Sequence, residues 1–184
     1  MYYGDDYYYY YYETASGEES SDYDYRRSRR PSNNQLGTPQ VVYTDGACIN
    51  NGRAGSCAGV GAYFGDGDVR NISERLKGPV QTNQRAELTA IKRALEVCSR
   101  RRPLTVHTDS KYAMNAITVW SVKWQNNGWV NCRGFPVANQ DLIKAILALI
   151  DDRYKDTIFS YVPAHSGSEG NDMADTLAYN GIWA

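Results

Sequence analysis

The sequence predicts an α/β fold built on one five-stranded mixed sheet. Three antiparallel strands are followed by two parallel strands, with helices on the flanks and a disordered N-terminal tail. Short β-branched and aromatic segments separated by Gly- and Asp-containing turns occur early in the folded part. Later segments place apolar residues at helical spacing. The element order βββαβ, then helices, then βα, indicates a single sheet with helices packed against it.

Five segments have the composition of strands. The first, QVVYT, ends at Asp45-Gly46, and the turn Gly65-Asp66-Gly67 separates the second from the third. The fourth begins after Pro103 and ends before Asp109. The predicted strands are residues 40–44, 57–64, 68–76, 104–108 and 157–162.

Helices are predicted between and after the last three strands. Leu88, Ile91, Leu95 and Cys98 are spaced by 3, 4 and 3 residues, which predicts a helix over residues 84–99. Other segments carry apolar residues with comparable spacing. These further helices are predicted at residues 110–118, 120–127, 139–151 and 171–181.

Residues 1–39 are predicted to be a disordered tail and linker, and residues 40–184 a single folded domain. Residues 1–25 hold ten of the 16 tyrosines and seven acids, with no base and almost no aliphatic residue, so they cannot offset their ordering entropy. A solvated tail is the simplest interpretation. The alternatives are a contact with a protein partner, or self-inhibition in which the acids compete with a polyanionic ligand. The run RRSRR at residues 26–30 is open to interpretation as a nuclear-import or nucleic-acid contact.

Composition excludes several classes of protein. The whole chain has formal net charge −1, but from Val41 onward it has 16 basic against 14 acidic residues, so the folded part is about +2. The longest purely apolar run has six residues, far below the roughly 20 that span a bilayer, and the N-terminus lacks an apolar signal region. The four cysteines form no CxxC pair. We therefore expect an intracellular protein without a membrane partner, in either the nucleus or the cytoplasm.

Four carboxylates occupy positions where solvation is hard to arrange. Asp45 and Asp109 follow predicted strands, and strand ends are where open sheets place ligands. Glu87 lies on the core-facing side of its helix, and Asp175 lies beside apolar residues in the last helix. If they converged, their repulsion would favour Mg²⁺, and two ions about 4 Å apart could catalyse phosphodiester hydrolysis. Spacing alone does not show that they converge, and solvated surface charges remain the default interpretation.

Five segments carry a resemblance to a known family, in its order and spacing, across residues 41–181. They are Tyr43-Thr44-Asp45-Gly46-Ala47-Cys48, Thr82-Asn83-Gln84-Arg85-Ala86-Glu87-Leu88, His107-Thr108-Asp109-Ser110-Lys111-Tyr112, Trp120-(x3)-Trp124-(x4)-Trp129, and Val162-Pro163-Ala164-His165-Ser166-Gly167 leading to Asn171-Asp172-Met173-Ala174-Asp175. On these motifs the chain resembles the ribonuclease H family, type 1 branch. The resemblance implies endonucleolytic hydrolysis of the RNA strand of RNA–DNA hybrids.

The resemblance also implies a set of catalytic residues. Two Mg²⁺ ions, for which Mn²⁺ substitutes, would be held by Asp45, Glu87, Asp109 and Asp175. Asp172 lies one turn from Asp175, but the family's aspartate stands ten residues after its loop histidine, which selects Asp175; Asp172 is expected to be an exposed first-turn acid. His165 matches the family's mobile-loop histidine, which assists proton transfer or product release.

Two further sets of residues match the family's substrate contacts. Because the 2′-hydroxyl distinguishes RNA from DNA, small polar groups are expected along the RNA strand; the predicted contacts are Cys48, Asn50, Asn51, Asn83 and Gln84. The DNA strand is expected to meet Thr82, Asn139, Trp120 and Trp124. Core packing is an equally good interpretation of Trp124 and Trp129.

The chain departs from the family pattern in two places. Val80 stands where an arginine is common, and the usually lysine-rich protrusion reads Gln125-Asn126-Asn127, with Lys123 as its main base. Each lost phosphate contact flattens the salt dependence of binding by about one unit, so we expect weaker hybrid affinity and lower processivity than in a typical member of the family. No segment resembles the family's separate N-terminal hybrid-binding module.

Three functions are compatible with these features. The leading one is a monomeric, Mg²⁺-dependent ribonuclease that acts on hybrids. The second is the ribonuclease H domain of a retroelement polyprotein, with the tail as part of a linker. The third is a non-catalytic hybrid-binding module whose tail recruits partners.

Overall fold

The computed structural model describes residues 38–153 and 156–184, so the predicted tail lies outside the described residues except for Thr38 and Pro39. Its sheet has five strands: β1 (Gln40–Ile49), β2 (Cys57–Tyr63), β3 (Ile72–Arg75), β4 (Leu104–Thr108) and β5 (Thr157–Tyr161). The strand order is β3-β2-β1-β4-β5. The β1–β2 and β2–β3 pairs are antiparallel and the β1–β4 and β4–β5 pairs are parallel, which confirms the predicted fold class.

Five α-helices accompany the sheet in the described part of the chain. They are α1 (Asn83–Val97), α2 (Lys111–Asn115), α3 (Ser121–Asn126), α4 (Gln140–Asp151) and α5 (Glu169–Gly181). A π-helical turn over Ala116–Trp120 joins α2 to α3, with the Ser121 amide donating to the carbonyl of Ala116, so the two predicted helices form one continuous rod. None of the described helices is long and apolar enough to cross a membrane.

The helices cover the two faces of the sheet differently. On one face, Val42 and Val106 of the central strands join Leu88 and Ile91 of α1 in the main core, to which α4 contributes Ile146. On the other face, α5 lies directly on β1 and β2. A Cβ atom at Gly61 would stand 2.2 Å from the carbonyl oxygen of Ala174, so only glycine permits this approach.

The first strand is longer than predicted. The Asp45-Gly46 pair suggested a turn, yet β1 continues to Ile49, which pairs with Cys57 of β2. Gly46 instead permits close packing, because a Cβ there would stand 2.3 Å from the backbone nitrogen of Glu87. The prediction that Asp45 ends its strand is therefore wrong, and the glycine serves the contact between β1 and α1.

Three other predicted boundaries also shift. The third strand is confined to Ile72–Arg75 because Asp68 accepts hydrogen bonds from the backbone and guanidinium of Arg70 and holds the preceding residues in a turn. Asn139 precedes α4 in a left-handed conformation, with φ 56°, and does not begin the helix. The last helix begins at Glu169, two residues earlier than predicted.

Candidate active site

Strand register brings two of the predicted acids together. The parallel pairing of β1 with β4 ends at Thr44 opposite Thr108. Asp45 and Asp109 are the next residues on these neighbouring strands. Beyond this point β1 remains paired with β2, with Asp45 opposite Gly61, whereas the chain at Asp109 leaves the sheet for α2. The two carboxylates therefore meet where the parallel ladder ends.

Glu87 reaches the same point from α1. The first turn of this helix is capped by the Thr82 hydroxyl, which accepts from the Arg85 amide at 3.3 Å, and it packs on Gly46. Carboxylate oxygens of Asp45, Glu87 and Asp109 lie within 4.8 Å of one another. Glu87 is only 5% exposed; Oε1 accepts from Asn83 Nδ2 at 3.3 Å, and Oε2 is buried without a partner.

Asp175 approaches the cluster from the opposite face of the sheet, on α5. Repulsion from Asp175 is among the causes that raise the pKa of Asp45, so the two carboxyl groups lie close together. Asp172, the alternative in the same motif, is exposed in the first turn of α5, and it shares the lining of the same cavity. We call this cavity, of about 480 Å³, the acidic basin; it is lined by Asp45, Gly46, Ala47, Asn83, Gln84, Glu87, Asp109, Ser110, Tyr112, Ala164, His165, Asn171, Asp172 and Asp175.

Burial and mutual repulsion make the charged basin unfavourable by itself. Desolvation, followed by repulsion from Asp109, raises the pKa of Asp45 to about 7. Desolvation, with repulsion from Asp45 and Asp109, raises the pKa of Glu87 well above its ordinary value. No lysine or arginine is among the described residues that line the basin. Protonation relieves this repulsion, and a bound cation relieves it while the carboxylates stay ionised.

The residues present fit a hard divalent cation. The clustered donors are all carboxylate oxygens, which such ions prefer, and the buried Glu87 Oε2 has no partner within the protein. The neighbouring groups are neutral: Asn83 donates to Glu87 Oε1, and Asn171 donates to Asp109 Oδ2 at 3.1 Å. The three clustered carboxylates, with Asn83 and Asn171 as neutral donors, therefore form a preorganised anionic site.

His165 lies in the loop between β5 and α5 and lines the same basin. It is exposed and has a left-handed backbone with φ 52°, which is uncommon for a residue other than glycine. The Ser166 hydroxyl donates to the carbonyl of Pro163 at 2.7 Å and closes the turn that carries the imidazole. His107, in contrast, stacks on Tyr43 within the sheet, with ring centroids 4.6 Å apart.

A second cavity, of about 430 Å³, adjoins the basin, and Gln84 lines both; we call it the polar pocket. It brings together residues predicted for the two nucleic-acid strands. Its lining is Asn51, Val80, Thr82, Gln84, Ala138 and Asn139. Asn51 Oδ1 accepts a hydrogen bond from the backbone N–H of Asn83 at 3.2 Å, which links the β1–β2 loop to the start of α1. Cys48 and Asn50 line neither cavity: the Cys48 thiol turns inward to the carbonyl of Gln81.

Sequence reasoning missed the residues that support the polar pocket. Arg85 donates to Asn139 Oδ1 at 3.3 Å and to both carboxylate oxygens of Asp141, at 3.0 and 2.5 Å. Asn139 Nδ2 in turn donates to the Tyr112 hydroxyl at 3.4 Å. The only sequence signal for this contact was the opposite charge of Arg85, near the start of α1, and Asp141, near the start of α4. Those positions are 56 residues apart, too far for a local pattern to pair them.

The tryptophans form a row of ring contacts. Trp120 and Trp124 have centroids 5.8 Å apart, and Trp124 and Trp129 have centroids 6.2 Å apart. Trp124 and Trp129 are partly buried against the main core, so packing accounts for both positions. Trp120 is 39% exposed and faces outward at the π-helical turn. Of the row, Trp120 offers the most surface to a ligand.

The fold and the basin together define a ribonuclease H-like domain with a carboxylate site for divalent metal. The RNase H family model matches residues 38–183, so the chain belongs to the RNase H family. This confirms the resemblance read from the motifs, including the type 1 branch. Membership of this family implies dependence on a divalent metal, in agreement with the acidic basin.

Named relatives agree with this assignment. The chain is 45% identical over 142 residues to Ribonuclease H of Schizosaccharomyces pombe, covering 77% of this chain and 52% of that protein. It is 41% identical over 148 residues to Ribonuclease H1 of Homo sapiens, covering 79% and 51%. It is 39% identical over 139 residues to Ribonuclease H of Cyanothece sp., covering 74% and 85%. The chain thus spans about half the length of the first two.

Solved structures share the fold. LC9-RNase H1, described as a type 1 RNase H with the type 2 active-site motif, superposes with TM-score 0.62 at 26% identity, covering 80% of this chain and 74% of that one. A foamy viral protease-reverse transcriptase in complex with RNA/DNA hybrid superposes with TM-score 0.61 at 25% identity, covering 78% of this chain and 20% of that one.

Proposed function

We propose that this protein is an endoribonuclease that hydrolyses the RNA strand of RNA–DNA hybrids. One observation carries the proposal: three carboxylates from separate elements have oxygens within 4.8 Å of one another, and a fourth faces them from α5. The names of its relatives, and the RNA/DNA hybrid bound by the foamy viral enzyme, support the reaction and the substrate.

The proposed metal is Mg²⁺, as two ions, with Mn²⁺ able to substitute. Asp45, Glu87, Asp109 and Asp175 would hold them: oxygens of the first three lie within 4.8 Å of one another, and Asp175 lies close enough to Asp45 to raise its pKa. When bound, the ions supply Lewis-acid activation of the attacking water and stabilisation of the leaving oxygen. The protein contributes the fixed spacing of the carboxylates, since each lies on or next to a strand or helix.

The chain's other residues orient these groups and handle protons. Asn83 keeps one oxygen of Glu87 occupied through its amide, so the second oxygen is left for the basin. His165, exposed on its loop at the rim, is placed to carry a proton between the basin and solvent. A loop position suits this task, because the imidazole can move without disturbing the carboxylates.

The two cavities suit the two strands of a hybrid. Asn51, Asn83 and Gln84 present neutral amides beside the basin, suited to hydrogen bonds with 2′-hydroxyls in a minor groove. Of the remaining predicted RNA contacts, Asn50 would act through the backbone of the β1–β2 loop, and Cys48, which pairs with Ala58 near the end of β1, would support that loop. Thr82 and Asn139 line the polar pocket and would hold a phosphate of the DNA strand.

Weak electrostatic binding is part of the proposal. Val80 is 50% exposed at the polar pocket and brings no charge there, and Arg85 is already engaged by Asp141. Trp120 supplies exposed ring surface on the protrusion, with Trp124 packed behind it. Contact with the DNA strand therefore relies on neutral hydrogen bonds and apolar surface, and its affinity should vary little with salt.

A cleavage assay tests the activity. Labelled RNA–DNA hybrid, single-stranded RNA and duplex RNA are incubated with the full chain in Mg²⁺ and in EDTA. Internal cuts in the RNA of the hybrid alone, dependent on Mg²⁺, are expected. Binding of the hybrid without cleavage in any divalent metal would contradict the proposal and favour the non-catalytic hybrid-binding module. A retroelement origin would leave this assay unchanged.

Four further predictions concern the whole chain. We propose a folded domain over residues 40–184, a monomeric state, an intracellular location, and a tail that contacts a protein partner or inhibits the domain. Self-inhibition is supported by charge: residues 1–25 hold seven acids and no base, whereas the chain from Val41 onward has a net charge of about +2. Deleting residues 1–30 should tighten hybrid binding most at low salt. Equal affinities for the two forms across the salt range would remove self-inhibition.

A further inference from the structure

We infer that Asn171 is a positioning residue for the active site, which fixes the orientation of Asp109. This inference rests on the proposed function. Asn171 lies on α5, four residues before Asp175, so both side chains project from the same face of the helix. Its Nδ2 donates to Asp109 Oδ2 at 3.1 Å, and the side chain is only 2% exposed.

Asp109 needs such a partner because its own backbone does not fix it. Asp45 is held in a paired strand, and Glu87 is held in a 15-residue helix. Asp109, in contrast, stands between the end of β4 and Ser110, the cap of the short helix α2. The amide of Asn171 engages one of its two oxygens and leaves the other free. The hydrogen bond also ties β4 to α5, which carries Asp175.

A neutral amide is the chemically suitable donor at this position. A lysine or arginine would also orient the carboxylate, but its charge would neutralise the basin and displace the cation. The direction of the amide is settled by chemistry, since an ionised carboxylate only accepts hydrogen bonds and Nδ2 must face it. Oδ1 then points away from Asp109 and is buried without a partner in the described chain.

The test separates positioning from mere stability. Asn171→Ala and the shape-retaining Asn171→Leu are compared with the wild type and with Asn180→Ala, an exposed asparagine on the same helix. Calorimetric titration with Mg²⁺ and Mn²⁺ alone gives cation affinity, melting without metal gives stability, and hybrid binding in EDTA gives substrate affinity. Cleavage kinetics give kcat and KM.

Both Asn171 variants should lose about 10–100-fold in cation affinity or kcat, the usual effect of removing a partner of a metal ligand. Hybrid affinity in EDTA and KM should stay unchanged, and Asn180→Ala should match the wild type throughout. Wild-type cation affinity and kcat in both variants would overturn the inference. So would loss of hybrid affinity in EDTA, because Asn171 would then contact substrate.

Wild-type protein provides a check that needs no variant. In ¹⁵N-labelled protein, the NMR signal of the Asn171 side-chain amide should shift as Mg²⁺ is added. The midpoint of this shift should equal the midpoint measured by calorimetry. An unchanged signal would overturn the inference. The two proposals also fail separately. If the wild type cleaves no hybrid while the Asn171 variants still lose cation affinity, the proposed function is wrong and the positioning role stands.

Discussion

The acidic basin and the polar pocket are adjacent, but they differ in how their charges are balanced. In the basin, like charges face one another, Glu87 Oε2 is unpartnered, and the pKa of Asp45 is raised to about 7 by burial and repulsion. In the polar pocket, Asn139 is held between Arg85 and Tyr112, and Arg85 is matched by Asp141. The protein leaves the charges of the basin unbalanced, whereas those of the pocket are balanced within the chain.

This difference separates catalysis from binding. Charge that is concentrated on rigid elements and left unbalanced suits a site that must hold cations and act on a phosphodiester. Neutral groups that are already held in place suit a site that only positions a strand. We therefore expect changes in the basin to lower kcat, and changes in the pocket to alter the affinity for the hybrid.

The largest effect is expected from Asp109→Asn. Loss of one carboxylate from the basin should lower cleavage by more than about a hundredfold, beyond the effect of removing a partner of a metal ligand. Because Asp109 lies outside the strand and is repelled by its neighbours, the metal-free protein should melt at the same temperature or higher. Calorimetry and the cleavage assay check both expectations. Substantial residual cutting would count against the basin as the catalytic centre.

Gly46→Ala should impair the basin through packing. The added methyl group would stand 2.3 Å from the Glu87 nitrogen, so the start of α1 must shift and carry Glu87 with it. Overpacking of this kind lowers the free energy of unfolding by about 1–3 kcal/mol. Because Glu87 moves with the helix, we expect kcat to fall even at temperatures where the variant is fully folded. Gly67→Ala in the β2–β3 loop is the control: nothing lies within 4 Å of that position, but its φ of 66° strains an alanine, so it lowers stability without moving α1. If both variants retain full kcat, the close approach is not needed for catalysis.

Asn139→Gly should weaken binding while sparing the chemical step. Glycine tolerates the left-handed backbone at φ 56°, so only the amide is lost. Loss of a hydrogen bond to a charged phosphate, worth about 1.5–3 kcal/mol, should raise the Kd for the hybrid roughly tenfold or more. Equilibrium binding in EDTA measures it, with kcat at saturating hybrid as the control. A fall in kcat with unchanged Kd would place Asn139 in the catalytic machinery instead.

Val80→Arg should restore charge to the polar pocket. A new phosphate contact steepens the salt dependence of log Kd by about one unit and tightens binding at low salt. Val69→Arg adds the same charge at a position 99% exposed in the β2–β3 loop, and serves as the control. Identical salt slopes for the two variants would show that Val80 does not face the DNA strand.

The smallest effect concerns the Arg85–Asp141 pair. Its hydrogen bonds to Arg85 lower the pKa of Asp141 in the folded protein, so the pair stabilises the fold above the unfolded-state pKa. This stability is lost as pH falls through the lower, folded-state pKa. Because Asp141 is 60% exposed, the contribution is at most about 1 kcal/mol. The melting temperatures of the wild type and Asp141→Asn should differ slightly at pH 7 and converge in acid. A difference that does not change with pH would mean that packing, not the ion pair, causes it.

Much of the fold was predictable, because its signals are local. Alternation and turn residues located all five strands, and apolar spacing located α1, α4 and α5. The limits of local evidence show at Asp45-Gly46, where a turn signal lies inside a paired strand. They show again at Asn139, whose left-handed backbone precedes a helix that it was predicted to begin.

The sequence by itself determined the family, through five motifs in order, and named the acids that the basin contains. Only the tertiary structure decided how those acids meet. Strand register places Asp45 beside Asp109. The absence of a side chain at Gly46 lets α1, which carries Glu87, pack closely on β1. Helix α5 carries Asp175 and the buried amide of Asn171. The physical reason is that sequence patterns report on neighbours along the chain. Contacts across 62 residues, such as that from Asn171 to Asp109, depend on strand register and close packing.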